Sequence, residues 1–141
     1  MRRVVSRSEA ETERVGEELA AGASDAVVLL EGDLGTGKTV LVRGLARALG
    51  VDAREIQSPT YTLIHEHEGT AGRLVHVDLY RLEGEDIGAL GLDELLAGPG
   101  VKAVEWAERL AVGAPLGALR VRLRRLADGD REILIEGPGA A

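Results

Sequence analysis

The sequence contains no cysteine and no phenylalanine, and Trp106, Tyr61 and Tyr80 are its only tryptophan and tyrosines. Without cysteine the protein cannot form disulfides, thiolate-bound zinc sites or a thiol nucleophile, which is compatible with a reducing compartment. With so few aromatic side chains, the core has to be built from valine, leucine, isoleucine and alanine. These absences exclude cysteine-dependent enzymes and zinc–thiolate domains.

Long hydrophobic runs are also missing. No apolar stretch approaches the ~18 residues of a membrane span. Met1, Arg2 and Arg3 precede a polar segment rather than the apolar core of a signal peptide. We therefore expect no membrane contact and a cytoplasmic location. The length of 141 residues predicts a single domain over residues 1–141.

Basic residues are in the minority, with 17 Lys plus Arg against 24 Asp plus Glu and a net charge of -7. Domains that bind nucleic acid by themselves usually carry an excess of positive charge. We therefore expect any RNA contact to be made through a partner. Only Lys38 and Lys102 are lysines.

Against this background, one glycine-rich segment fits the phosphate-binding pattern G-x-x-x-x-G-K-[ST]. It consists of Gly32, Asp33, Leu34, Gly35, Thr36, Gly37, Lys38 and Thr39. The apolar run before it, 26–31, predicts a buried parallel strand, and a helical spacing of leucine and valine follows at Leu41, Val42, Leu45 and Leu49. The motif therefore lies in the strand-loop-helix context that it requires.

Each residue type in this loop has a chemical reason. Gly32, Gly35 and Gly37 allow positive φ angles and bring backbone N–H groups close to phosphate oxygens. Lys38 would place a charge between the β- and γ-phosphates, and the Thr39 hydroxyl would bind Mg²⁺. The alternative interpretation is a glycine-rich turn that matches the pattern by chance.

Two acids follow predicted strands. Asp78 ends the apolar segment that begins at Arg73, and Glu105 ends the segment that begins at Val101. Ligands in open α/β sheets bind beyond the carboxyl ends of strands, so both acids are expected near the loop. One acid would bind Mg²⁺ and the other would position or activate water. A helix cap or a salt bridge is the alternative for each acid.

A hydroxyl-rich segment around Ser58, Pro59 and Thr60 lies ~20 residues beyond Thr39, where switch segments bring a threonine to the metal and γ-phosphate. Thr60 is therefore the candidate switch threonine. An ordinary Ser-Pro turn at the start of a strand is the alternative.

Near the amino terminus, a capping box at 8–11 predicts a helix through about Ala21, which Gly22 would end. Thr12 lies on this helix, and its spacing alone indicates a surface threonine.

Farther on, Tyr61–Glu68 and Arg73–Leu79 are predicted strands joined by a turn at 69–72. His65 and His67 share one strand face. Solvated histidines are favoured over a metal pair, because cysteine and an obvious third ligand are absent.

The segment from Leu82 to Gly100 predicts two short helices that cover a sheet face or offer an apolar surface to a partner. After Ala118, apolar residues alternate strictly with arginines, and a second strand follows at 131–136, which predicts a carboxyl-terminal hairpin. The arginine row is interpreted as a solvated face, with RNA contact as the alternative. Arg131 begins this second strand near the turn, where its side chain could reach a phosphate.

These patterns together predict an α/β domain of P-loop NTPase type with three layers. We expect a mostly parallel central sheet, helices on both faces and an antiparallel hairpin at the carboxyl terminus. The nucleotide would bind at the carboxyl ends of the strands.

Four sequence elements in this order closely resemble the bacterial TsaE (YjeE) proteins, and the resemblance covers nearly the whole chain. The P-loop alone is shared by many families, whereas the other three elements together are specific. They are the P-loop followed by Arg43 and Gly44, the segment 58–63 with Ser-Pro-Thr, the segment 76–82 with His-x-Asp-x-Tyr-Arg, and Val104-Glu105-Trp106. Thr36 and Val40 stand where many members have Ala and Thr, and neither change removes a needed group.

The resemblance implies a small cytoplasmic P-loop ATPase needed for threonylcarbamoyladenosine (t6A) at tRNA position 37. Its partners would be TsaB and TsaD, with tRNA reached only through that assembly, and its cofactors ATP or ADP with Mg²⁺. The loop residues from Asp33 to Val40 would contact nucleotide, with Lys38 on the phosphates. Thr39 and Glu105 would bind Mg²⁺, Asp78 would be the Walker B acid, and Thr60 the switch threonine.

The resemblance also implies nucleotide contacts for three further residues. Thr12 matches a threonine near the adenine, Trp106 a neighbour of the nucleotide, and Arg131 a basic residue on a late strand. Two other functions remain as alternatives: a small-molecule kinase, for which 141 residues leave little room for a lid, and a nucleotide-gated binding module whose hydrolysis is incidental.

Overall fold

The computed structural model describes residues 1–21, 25–57, 64–80, 91–110, 115 and 117–137. The predicted switch threonine Thr60 and the predicted helix end at Gly22 lie outside the described residues. The same holds for the first part of the segment expected to form two short helices, 82–90.

Seven strands form one sheet in the order β1-β7-β6-β2-β5-β4-β3. Their bounds are β1 Arg2–Ser6, β2 Val27–Glu31, β3 Ile64–Glu68, β4 Arg73–Asp78, β5 Val101–Glu105, β6 Leu119–Arg125 and β7 Arg131–Glu136. The two acids expected at strand ends, Asp78 and Glu105, are the last residues of β4 and β5. These two residues face each other in the register of the pair.

The sheet is mixed rather than mostly parallel, which corrects the predicted strand directions. The four central strands β6, β2, β5 and β4 run parallel, whereas the three outer junctions are antiparallel. A tight turn, in which Gly69 N–H donates to Gly72 O at 2.8 Å, joins β3 to β4. A connection this short permits only antiparallel pairing. The expected antiparallel hairpin at the carboxyl terminus, β6 and β7, is present.

Three α-helices occur in the described ranges: α1 Glu9–Ala20, α2 Lys38–Ala48 and α3 Leu92–Ala97. Helix α1 begins as its capping box predicts, with the Ser8 hydroxyl accepting a hydrogen bond from Glu11 N. The Glu11 carboxylate in turn accepts a hydrogen bond from Arg7 N at 2.6 Å. None of these helices has the length and apolarity that a membrane span requires.

Buried residues lie on both faces of the sheet, so the described residues form three layers. Strand β2 alternates: Val28 and Leu30 pack toward α1 and α2, whereas Val27 and Leu29 pack toward α3. Helices α1 and α2 pack closely at Gly16, where an added Cβ would lie 2.2 Å from Leu41 O. This packing fixes α2, and with it the loop between β2 and α2, against the sheet.

Candidate functional site

The loop between β2 and α2 owes its path to glycine. Gly35 and Gly37 have φ angles of 74° and 105°, in the left-handed region that side chains disfavour. An added Cβ at Gly35 would also lie 2.2 Å from the Arg125 guanidinium. Gly37 is the N-cap of α2 and carries no side chain that could bond the first-turn amides. Those amides remain available to an anion, as expected at a phosphate-binding helix terminus.

Lys38 opens α2 and is only 5% exposed. Its Nζ donates to the carbonyl of Gly32 and, at 2.9 Å, to the carbonyl of Asp33. The ammonium also lies 4.1 Å from the centre of the Trp106 ring. Burial lowers the pKa of Lys38, and this effect is opposed by the carboxylates of Glu105, Glu108, Asp78 and Asp33.

Glu105 is held from two sides. The Thr39 hydroxyl, in the first turn of α2, lies 3.0 Å from each of its carboxylate oxygens. On the other side, the buried His76 places Nε2 2.5 Å from Glu105 Oε2. The Glu105 carboxylate therefore links β4, β5 and the start of α2.

Asp78 is buried like Glu105, with relative exposures of 4% and 3%. One of its carboxylate oxygens accepts a hydrogen bond from Tyr80 N at 2.8 Å. The side chain lies next to Glu105 in the sheet but does not line the cavity described below. The two strand-end acids thus stand side by side with different exposure to that cavity.

Trp106 directly follows Glu105 and has a φ angle of 61°, the one positive value among the described non-glycine residues. Its ring lies 4.9 Å from the ring of Tyr80, centre to centre, and the Arg109 guanidinium is 5.7 Å from both rings. A left-handed non-glycine residue costs conformational energy and is found preferentially at functional sites. The turn places the indole under the Lys38 ammonium.

These groups surround one cavity of about 380 Å³. Its wall combines the loop and the first turn of α2 with the β1–α1 junction, the end of β5 and the turn before β7. The lining residues are Ser6, Arg7, Ser8, Glu9, Thr12, Leu34, Gly35, Thr36, Gly37, Lys38, Thr39, Val40, Glu105, Trp106, Gly129 and Arg131.

A family model described as "Threonylcarbamoyl adenosine biosynthesis protein TsaE" matches residues 6–133. The chain belongs to the TsaE family. This confirms the family resemblance derived from the four sequence elements.

Two curated TsaE relatives match over nearly the full chain, and both are named "tRNA threonylcarbamoyladenosine biosynthesis protein TsaE". The one from Treponema pallidum (strain Nichols) is 44% identical over 138 residues, covering 94% of this chain and 98% of the relative. The one from Bacillus subtilis (strain 168) is 42% identical over 130 residues, covering 92% of this chain and 81% of the relative.

The fold is also found in a solved structure. The crystal structure of Bacillus subtilis YdiB matches with a TM-score of 0.77 and 34% sequence identity, over 98% of this chain and 86% of the YdiB chain. The sheet and helix arrangement described above is therefore shared with a solved protein.

Eleven residues that the sequence indicated for this TsaE-family site line the cavity: Thr12, Leu34, Gly35, Thr36, Gly37, Lys38, Thr39, Val40, Glu105, Trp106 and Arg131. Asp33 faces the site through its carbonyl, which accepts hydrogen bonds from Lys38 and from the Thr36 hydroxyl. Asp78 lies beside Glu105 on the neighbouring strand and does not line the cavity, and Thr60 is outside the described residues. The structure thus brings most of these residues together, and their nucleotide contacts stay predictions.

Five lining residues were not indicated by the sequence: Ser6, Arg7, Ser8, Glu9 and Gly129. Four of them reach the cavity because β1 joins the sheet, which no pattern in the sequence had indicated. Thr12 is also more buried than its spacing suggested, and its hydroxyl lies 2.7 Å from that of Ser6. This part of the cavity wall could have been found only by predicting a strand at 2–6.

Two arginines converge on the loop from the carboxyl-terminal hairpin. Arg125 and Arg131 each place Nη2 3.2 Å from the carbonyl oxygen of Gly35. Arg131 also donates to Gly129 O at 2.6 Å. The loop is therefore braced by β6 and β7, and Arg131 lines the cavity as expected from its position near the turn.

The residues at the strand ends are compatible with Mg²⁺. No group of three His, Cys, Asp or Glu side chains that could hold a metal occurs in the described part of the chain. The Thr39 hydroxyl and the Glu105 carboxylate are adjacent hard oxygen donors facing the cavity. Mg²⁺ commonly takes one or two protein oxygens and completes its coordination with phosphate and water. This pair fits such a partial ligand set, with nucleotide supplying the remainder.

Proposed function

We propose that this chain binds ATP with Mg²⁺ and hydrolyses it to ADP and phosphate in the biosynthesis of threonylcarbamoyladenosine on tRNA. One observation carries the proposal: Lys38 and the uncapped first turn of α2 line the same cavity as Thr39 and Glu105. A polyphosphate bound in this cavity would therefore contact cationic and metal-binding groups at the same time. Membership in the TsaE family supplies the tRNA context.

Phosphate binding relies on positive groups that are already in place. The Lys38 ammonium is fixed by two loop carbonyls, so little side-chain freedom is lost when an anion arrives. Its pKa is lowered by burial, and a phosphate beside it favours the charged form again. The first-turn amides of α2 bind the same anion, because the helix dipole adds to their hydrogen bonds.

Thr39 and Glu105 are the residues proposed to hold Mg²⁺. When bound, the ion neutralises charge that builds up on the phosphate oxygens during transfer. Asp78, on the adjacent strand, is proposed as the second acid, with Asp78 or Glu105 accepting the water proton. Thr60 is proposed as the switch threonine on the strength of the family resemblance.

The nucleoside is proposed to occupy the part of the cavity between the loop and α1. Thr12 on α1 lines this cavity together with Trp106 and Arg131. The cavity therefore extends beyond the phosphate-binding loop into a space lined from the β1–α1 junction. Such a shape suits a nucleotide better than inorganic phosphate alone.

TsaB and TsaD are the proposed partners, in the cytoplasm, with tRNA reached only through their assembly. The net charge of -7 favours this indirect route, because an acidic protein repels the RNA backbone. Slow hydrolysis by the isolated chain and faster hydrolysis in the assembly are expected.

ATP hydrolysis by the purified chain tests this proposal, measured alone and with TsaB, TsaD and unmodified tRNA. Lys38→Ala should abolish turnover, whereas Arg47→Ala, on the same helix but paired with Glu13 outside the cavity, should leave it unchanged. Stimulation by the partners that disappears in Lys38→Ala supports the proposal. Turnover retained by Lys38→Ala contradicts the role of the loop.

The same assay separates the two alternatives. A phosphorylated metabolite appearing instead of free phosphate would identify a kinase. Partner assembly that follows ATP occupancy even when turnover is blocked would identify a nucleotide-gated binding module. Either result would replace hydrolysis as the central activity.

A further inference from the structure

His76 is a fully buried histidine whose place in the site the sequence did not indicate. It is 0% exposed and lies on β4, two residues before Asp78. In the register of β4 and β5 it faces Ala103, so its side chain projects to the same side of the sheet as that of Glu105. Burial of an imidazole in this position requires a polar partner.

That partner is Glu105. The distance from His76 Nε2 to Glu105 Oε2 is 2.5 Å, and both side chains are buried. The other ring nitrogen, Nδ1, has no hydrogen-bond partner among the described residues. A carboxylate oxygen accepts hydrogen bonds, and an imidazole nitrogen that carries a hydrogen donates one. The contact with Glu105 Oε2 therefore places a hydrogen on His76 Nε2.

This contact determines how the carboxylate is turned. The Thr39 hydroxyl lies 3.0 Å from both oxygens of Glu105 and so does not distinguish between them. Only Oε2 is bound by His76, which fixes rotation of the carboxylate about its terminal bond. A metal-ligating carboxylate is commonly oriented by a hydrogen bond of this kind.

We propose that His76 is a positioning residue that orients Glu105 for Mg²⁺ binding, an inference that rests on the proposed function. The histidine does not line the cavity. Its effect is exerted through one hydrogen bond to Glu105, and it should appear in the response to Mg²⁺ rather than in nucleotide binding without metal.

The test measures ADP affinity at increasing Mg²⁺ concentrations, followed by fluorescence of Trp106, the only tryptophan. His76→Leu removes the donor and keeps an apolar volume, whereas His76→Gln keeps an N–H near the Nε2 position. In His76→Leu the half-saturating Mg²⁺ concentration should rise about 10-fold or more, with metal-free ADP affinity within about twofold of the unaltered protein. His76→Gln should restore most of the Mg²⁺ response.

His67→Gln is the matched control. His67 lies on the neighbouring strand β3 and also has a buried nitrogen, Nε2, without a partner among the described residues. It makes no contact with Glu105, so this variant should respond to Mg²⁺ as the unaltered protein does.

The outcomes distinguish the inference from the function on which it rests. If the unaltered protein binds ADP independently of Mg²⁺, the role of His76 is overturned, and the proposed function falls with it only if the protein also hydrolyses no ATP. If the unaltered protein depends on Mg²⁺ and a folded His76→Leu depends on it equally, only the role of His76 is overturned. Nitrogen NMR of the unaltered protein needs no variant: a hydrogen on His76 Nε2 supports the inference, and a bare Nε2 overturns it.

Discussion

The only two lysines of the chain lie at opposite ends of the central sheet, and both are buried with their ammonium groups bonded to backbone carbonyls. Lys38 lies at the carboxyl end, 5% exposed, and Lys102 at the start of β5, 1% exposed. Each donates to two backbone carbonyls: those of Gly32 and Asp33 for Lys38, and those of Asp25 and Gly98 for Lys102. Burial lowers the pKa of both.

Lys38 and Lys102 differ in the space beside the ammonium group. Lys38 borders the cavity with Glu105 and Trp106, whereas Lys102 does not line it. One carboxylate, Asp25, opposes the lowered pKa of Lys102, against four near Lys38. Burial and a lowered pKa therefore do not distinguish a binding lysine from a structural one. The cavity beside the group makes that distinction.

Replacing each lysine by methionine tests most directly whether the two lysines differ in function. Lys38→Met should reduce ATP hydrolysis by at least about 100-fold, because one pre-positioned cation beside the reacting phosphate is removed. Its unfolding midpoint in urea should stay near that of the unaltered protein, since Gly32 is only half-buried and Asp33 is exposed, so that water can solvate their carbonyls. Hydrolysis retained by Lys38→Met would contradict the assignment of this end as the phosphate site.

Glu105→Ala should weaken the response of ADP binding to Mg²⁺, with the half-saturating Mg²⁺ concentration raised by more than about 10-fold. It removes the carboxylate that the proposed function assigns to the metal. Titration of ADP with and without Mg²⁺ measures the effect. Unchanged Mg²⁺ dependence would refute the ligand role, and Glu108→Ala, whose carboxylate bonds Gly32 N at 3.2 Å, is the nearby acid for comparison.

Lys102→Met should affect stability instead of activity. The carbonyls of Asp25 and Gly98 lose a charged donor, which costs about 1–3 kcal/mol of unfolding free energy. Urea denaturation measures this cost, and the folded variant should hydrolyse ATP at the unaltered rate. A stable Lys102→Met with impaired hydrolysis would remove the distinction between the two ends of the sheet.

The smallest expected effect is a pH dependence of stability from Lys102. The unfolded chain keeps the Lys102 proton up to the usual pKa of 10.5, whereas burial makes the folded protein release it at lower pH. Between the two pKa values the unfolded state binds more protons, so the unfolding free energy rises with pH. Over this pH window, the unfolding free energy of the unaltered protein should rise with pH relative to that of Lys102→Met. A constant difference would show that the pKa is not shifted.

The phosphate-binding loop could be predicted from the sequence because its signals are local. Glycine spacing, the apolar run of β2 and the helical spacing of Leu41 and Leu45 each act within a few residues. The strand-end positions of Asp78 and Glu105 followed from the same kind of pattern. These features need no information about distant parts of the chain.

Features that depend on distant pairing could not be predicted in this way. Strand β1 begins with Arg2 and Arg3 and lacks a clear apolar alternation, so only its pairing with β7 makes it a strand. The wall formed by Ser6 therefore went unnoticed, as did the antiparallel junction between β1 and β7. The role of Lys102 likewise depends on carbonyls that its own segment does not supply.

Pairing of β1 with β7 also has a consequence for the growing polypeptide. Arg3 contacts Glu132, 129 positions later in the sequence, and the cavity wall combines Ser6 with Gly129 and Arg131. Strand β1 is the first strand to be made and β7 the last, and a strand cannot pair with one not yet made. The cavity wall is therefore completed only once residue 131 has been synthesised, and β1 has no β7 to pair with until then.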